Sequence, residues 1–215
     1  MSCATLKWIA FILMSIDHIG FFFPSCKIYV LLRMIGRLAA PIFFFCFVEG
    51  YNHTSNKKKY RNRLLYTSIC MMIINFTMIV IFDLLKSPLP NNINPLEPNV
   101  IFTLFIMFLI LEGIDNRQYW KLIFIISVPL LEYSVYAFNT ILIFRYIKNK
   151  WIKFLLFSIT NICIAMITNN YIELFMVFSS LFLLNYNGEK GKFHSKIFYV
   201  LYPLHFYLIK FISIF

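Results

Sequence analysis

Asp17 and His18 stand side by side near the end of an otherwise apolar segment, Trp8 to Phe23, and Arg33 and Arg37 interrupt the next apolar run. An imidazole titrates near neutrality, so His18 could take a proton from an attacking hydroxyl or amine. The guanidinium groups of Arg33 and Arg37 could hold a developing oxyanion or a phosphate. Four residues apart, they share one face of a helix. Asp17 and His18 point about 100° apart, so they need not bond each other and Asp17 is free to pair with an arginine. A charge inside hydrocarbon costs roughly 2.5–3.5 kcal/mol on insertion scales. Groups retained against that penalty are expected to face a bundle interior and to function there.

Further polar residues fall at comparable depth in other apolar runs. Glu132 and Tyr133 lie at the junction of two of them, Asn99 and Thr103 share a helix face, and His205 sits near the middle of the last. Together with His18 and the arginines they are expected to line one polar cavity that opens outward. Asp17, Glu49 and Glu132 are the carboxylates expected to neutralise Arg37. Plainer roles exist for some of these: Arg33 can snorkel to headgroups, and a single histidine such as His205 can be structural. The basic cluster Lys57, Lys58, Lys59, Arg61 and Arg63 is a topology signal that also suits anionic headgroups. The same cations could dock the phosphates of a cofactor at the cytoplasmic surface. The chain has no P-loop, no glycine-rich dinucleotide fingerprint and no HExxH. Cys3, Cys26, Cys46, Cys70 and Cys163 show no metal-ligand spacing, so neither a metal nor a disulfide framework is expected.

These residues need helices to position them. Of the 215 residues, 60% are hydrophobic and 13% charged, about half the charge of a soluble domain. That composition implies an integral membrane protein. Rich in Phe and Tyr and poor in Gly, it predicts an all-α polytopic bundle and not a barrel. The apolar runs lie near 6–24, 28–51, 62–86, 98–112, 119–131, 133–147, 151–168, 170–185 and 195–214, about nine spans with several short ones. Residues 120–146 could instead form one long tilted helix. With nine spans and the N-terminus inside, the inner side receives Lys7, the 57–63 cluster, Arg117, Lys121, Arg145, Lys148, Lys150, Lys153, Lys190, Lys192 and Lys196. The outer side receives only Lys27, Lys86 and Lys210, as the positive-inside rule requires. The net charge of +11 therefore reads as topology and not as nucleic-acid binding. A cleaved signal peptide is not expected, because no small-residue site follows the first run. The proline-rich stretch 87–99 is expected to cap the outer face. With neither linker nor repeat, residues 1–215 read as a single membrane domain, which weighs against an inverted-repeat transporter.

Five blocks carry a resemblance. They are Leu6-Lys7-Trp8-Ile9-Ala10 through Ser15-Ile16-Asp17-His18-Ile19-Gly20; Gly36-Arg37-Leu38-Ala39-Ala40-Pro41-Ile42-Phe43 through Val48-Glu49-Gly50-Tyr51; Asn99-Val100-Ile101-Phe102-Thr103-Leu104; Glu132-Tyr133-Ser134-Val135-Tyr136; and Phe198-Tyr199-Val200-Leu201-Tyr202-Pro203-Leu204-His205. In this order they resemble the TraX family of bacterial membrane proteins, named for a protein linked to N-acetylation of conjugative F-pilin. Two positions depart from the pattern: Glu132-Tyr133-Ser134 stands where Asp-Tyr-Gly is usual, and Ala40 where a bulkier residue is expected. The family is in turn similar to polytopic membrane acyltransferases, which carry a catalytic histidine in their first helix, and His18 is the matching position. The resemblance implies a multi-pass protein of the bacterial inner membrane. It would move an acyl group, acetyl above all, from cytoplasmic acyl-CoA to a peptide, pilin or envelope carbohydrate. His18 would be the base, Arg37 and Arg33 would stabilise the oxyanion or the phosphates, and Asp17 or Glu132 would compensate the arginines. Two rival readings are a transporter or flippase for an anionic solute, and a non-catalytic component of pilus or envelope assembly.

Overall fold

A computed structural model describes residues 1–84, 99–131, 133–191 and 197–213. The expected outer cap at 87–98 and Glu132 lie outside the described residues, as do Lys86, Lys192 and Lys196. The described chain is helical, with no strand among its residues. In order it forms α1 (Cys3–Phe22), α2 (Tyr29–Gly36), α3 (Ala39–His53), α4 (Lys57–Leu84), α5 (Val100–Asp115), a first 3₁₀ segment (Tyr119–Leu130), α6 (Ser134–Tyr146), α7 (Lys150–Thr168), a second 3₁₀ segment (Tyr171–Phe178), α8 (Ser179–Leu184) and α9 (Phe198–Ile212).

Local chemistry sets most boundaries. Ser2 caps α1, Asn99 caps α5 and Asn149 caps α7, each accepting from a free N–H of the first turn. Asn170 caps the second 3₁₀ segment in the same way. The second apolar run is not one helix: it breaks at Arg37 and Leu38 and restarts at Ala39. Pro41 is the reason. An uninterrupted helix would need its N–H to reach the Arg37 carbonyl, and proline has no N–H and crowds that carbonyl.

The 120–146 stretch is two elements, not one tilted helix. It ends its first segment at Leu130 and restarts at Ser134, with Tyr133 in the left-handed region at φ 58°. The first segment winds as 3₁₀, so its twelve residues span about 24 Å at ~2.0 Å each, where an α-helix would give about 18 Å. Among the described residues, four stretches are long and apolar enough to cross a bilayer: Cys3–Phe22, the broken Tyr29–His53, Lys57–Ile81 and Lys150–Thr168. Tyr119–Leu130, Tyr171–Leu184 and Phe198–Ile212 are shorter and also apolar. The chain is a membrane protein.

Contacts divide it into two units, Met1–Asn52 with Asn139–Phe215, and His53–Phe138. In the first, α1 packs antiparallel to α2 and parallel to α9. The parallel register follows from ring contacts that ascend together: Trp8 with Phe198 at 5.1 Å, Phe11 with His205 at 5.0 Å and Phe22 with Phe206 at 5.6 Å. In the second unit α5 is the central helix, buried almost all round from Ile106 to Gly113.

Candidate functional site

His18 lies in the last turns of α1 and His205 near the middle of the parallel α9. Their axial register brings Nδ1 of His18 within 3.0 Å of Nε2 of His205. The rings stand 5.0 Å apart and 20° from parallel. Nδ1 of His205 is 2.9 Å from the carbonyl of Leu201, one turn earlier. A carbonyl only accepts, so this Nδ1 carries the proton and Nε2 of neutral His205 presents its lone pair. His18 must then donate from its own Nδ1, which leaves Nε2 of His18 with a lone pair. Phe22 and Phe206 flank the His18 ring. The result is a half-buried imidazole whose Nε2 carries a lone pair.

Asp17, the neighbour of His18, turns to α2. Its Oδ2 accepts from Nη1 of Arg33 at 2.5 Å, and its backbone carbonyl accepts from the same nitrogen at 3.3 Å. The guanidinium also lies over the Phe21 ring at 5.2 Å. Arg33 therefore folds back into the protein and does not snorkel; its side chain is 17% exposed. Arg37, at the break between α2 and α3, has the carboxylate of Glu173 at 3.5 Å. Glu173 belongs to the second 3₁₀ segment, and Asn170, the cap of that segment, donates to the same oxygen at 3.3 Å.

Glu173 is a site residue that sequence reasoning missed. The available signal was a carboxylate close to the start of the eighth apolar run, the same kind of placement that singled out Asp17.

Glu49 bonds the tyrosine that follows α8. It accepts from the hydroxyl of Tyr186 at 2.8 Å, and the Tyr186 ring packs edge-on against Phe45 at 5.2 Å. Burial, then the bond to the Glu49 carboxylate, hold the Tyr186 phenol above its usual range. Replacing Tyr186 with Phe is expected to lower stability by about 1 kcal/mol, read as thermal unfolding in detergent. A raised phenol stabilises fully below its unfolded value near pH 10 and loses that contribution as pH climbs through the folded value. Wild type should therefore lose its advantage over Y186F only in strong alkali.

The second unit holds the remaining candidates. Asn99 uses its carboxamide oxygen to cap Phe102 N–H at 3.0 Å and its amino group to reach the Ser68 carbonyl at 3.2 Å. Thr103, one turn on, is fully buried. Tyr133 contacts the Tyr136 ring at 6.3 Å. Asp17, His18, Arg33, Arg37 and His205 meet in the first unit, while Asn99, Thr103 and Tyr133 belong to the second.

The basic cluster is helical and not a loop: α4 begins at Lys57, and Asn56 caps the N–H of Lys59 at 2.8 Å. The helix sorts the cations onto different faces. Arg61 points to α5 and binds Glu112 at 3.1 Å, beside Lys121 from the first 3₁₀ segment at 2.5 Å. Lys58, Lys59 and Arg63 instead line an open cavity of about 410 Å³ with Asn56, Asn62 and Tyr66. Arg63 also stacks over Tyr60 at 5.7 Å. Lys121, assigned from sequence to the inner side, is buried in this triad. Lys210, assigned to the outer side, is buried in α9 with its ammonium over Phe206.

Comparison with known proteins bears on the whole chain. The family model described as TraX protein matches residues 2–213. A probable fimbrial assembly protein FimC, serogroup H1, of Dichelobacter nodosus is 28% identical over 233 residues, covering 97% of this chain and 94% of the relative. An uncharacterized protein of Rickettsia prowazekii (strain Madrid E) is 46% identical over 54 residues, 25% of this chain and 20% of the other. No solved structure matches. The matched span runs from α1 through α9 and takes in His18, Asp17, Arg33, Arg37, Glu173 and His205: the chain belongs to the TraX family.

Proposed function

We propose that this protein is a multi-pass acyltransferase of the bacterial inner membrane, with its N-terminus inside. It moves an acyl group, acetyl above all, from cytoplasmic acyl-CoA to a peptide, pilin or envelope-carbohydrate acceptor. The observation that carries this reading is the chain of bonds from the Leu201 carbonyl through His205 to His18, which leaves Nε2 of His18 as a base. As the acceptor nitrogen or oxygen attacks, it bonds to the acyl carbon, the thioester C–S bond breaks, and His18 takes the acceptor proton. The proton then passes to the departing thiolate. His205 accepts from the protonated ring and holds its orientation. Arg37, with Arg33, stabilises the negative charge on the carbonyl oxygen, and Asp17 and Glu173 balance the two guanidiniums. The fimbrial-assembly relative supports an acceptor on the cell envelope or pilus.

The donor set on α4 suits acyl-CoA. Lys58, Lys59 and Arg63 would hold its phosphates, and the exposed ring of Tyr66 offers a face for the adenine. Arg61, bound to Glu112, serves the fold instead. Acyl-CoA binding to purified protein in detergent tests the reading. Wild type should bind saturably, and the triple variant K58A/K59A/R63A should bind at least about tenfold more weakly, roughly 1.4 kcal/mol. Folded protein that binds no acyl-CoA but moves an anionic solute across vesicles in a pH-dependent way would replace this reading with a transporter.

A further inference from the structure

The Asp17–Arg33 pair is framed by a reciprocal arrangement in the sequence. Asp17-His18-Ile19-Gly20 on α1 and Arg33-Met34-Ile35-Gly36 on α2 each place a glycine three residues after the charge, on the same helix face. Because the helices run antiparallel, each glycine lies against the charged residue of the other helix. A Cβ on Gly36 would overlap the Cα and Cβ of Asp17 and come within 2.7 Å of its Oδ1. A Cβ on Gly20 would stand 2.9 Å from the Cβ of Leu32, 3.1 Å from the Tyr29 carbonyl and 3.3 Å from Cδ of Arg33. The obstructing atoms are largely backbone or Cβ, which cannot rotate away, so a methyl group at either position can enter only if the helices separate.

We infer that Gly20 and Gly36 are positioning residues. Their missing side chains let α1 and α2 approach closely enough for the short Asp17–Arg33 bond, which sets the end of α1 that carries His18. The approach follows from the packing alone; its consequence for catalysis rests on the function proposed above.

The test is NMR of ¹⁵N-arginine-labelled protein in detergent, with the Arg33 guanidinium signal assigned from R33K and unfolding followed alongside. Wild type should show a rotationally restrained Arg33 guanidinium. G36A and G20A should each lose that signature, as should D17G, which removes the carboxylate. A restrained Arg33 in G36A or in G20A overturns the inference. If the signals behave as expected but wild type transfers no acyl group, the positioning role stands and the acyltransferase reading falls.

Discussion

Replacing His18 with Ala is expected to lower acyl transfer by about 10²–10⁴-fold, the usual contribution of a positioned general base, while abundance and thermal unfolding stay close to wild type. The physical basis is directional. His18 Nδ1 is occupied by His205, so Nε2 is the nitrogen left to act on an acceptor. Replacing His205 with Ala should have a smaller effect, roughly 10–100-fold, by analogy with losses at groups that orient a functional imidazole. The assay is transfer of labelled acetyl from acetyl-CoA to envelope material in vesicles. An H18A protein with full activity would remove His18 from the mechanism. Equal losses for the two variants would make the pair, and not one ring, the catalytic unit.

Glu112 should dominate stability. Its carboxylate faces Arg61 from α4 and Lys121 from the first 3₁₀ segment, and both Glu112 and Lys121 are less than one-tenth exposed. Glu112→Ala would leave two cations facing each other without a counter-charge. Removing one partner of a buried pair is destabilising by about 3–5 kcal/mol, and the expected result is an unfolding transition in detergent at far lower temperature, or loss of the protein from membranes. Arg61→Ala leaves Lys121 on the carboxylate and should be milder. Lys58→Ala, on the open face of the same helix, should hardly change unfolding. An E112A protein that melts like wild type would show that the triad contributes nothing net.

The different behaviour expected of Lys58 and Arg61 shows where reading a sequence reaches its limit. Both belong to one run of basic residues, and composition treats them alike. Along α4, Arg61 lies about 160° round from Lys59 and about 60° from Lys58, and it turns to Glu112 of α5 while both lysines stay on the open side. The same applies to Asn99 and Thr103. Their spacing of four correctly put them on one face, but the face is that of α5, where Asn99 is occupied with a helix cap and the Ser68 carbonyl. Glu173 was overlooked for the opposite reason. It sits in an apolar run without a charged neighbour in sequence, and only the packing of the second 3₁₀ segment against α2 brings it to Arg37.

Composition alone determined that this is an all-helical membrane protein, because a chain so short of charge cannot cover itself in water and hydrocarbon leaves helices to satisfy the backbone. Local residue types also determined the limits of many elements, as with the asparagine caps and the break before Pro41, since these depend on atoms a few residues apart. They picked out Asp17, His18, Arg33, Arg37 and His205 as unusual, since a charge or imidazole in an apolar run is costly wherever it points. Which of these meet was decided only by tertiary structure. The His18–His205 bond joins residues 187 apart in sequence, and it exists because α1 and α9 pack in parallel at one axial register. A helix dictates the angle between its own side chains, but the rotation and offset of its neighbour depend on packing across the whole interface.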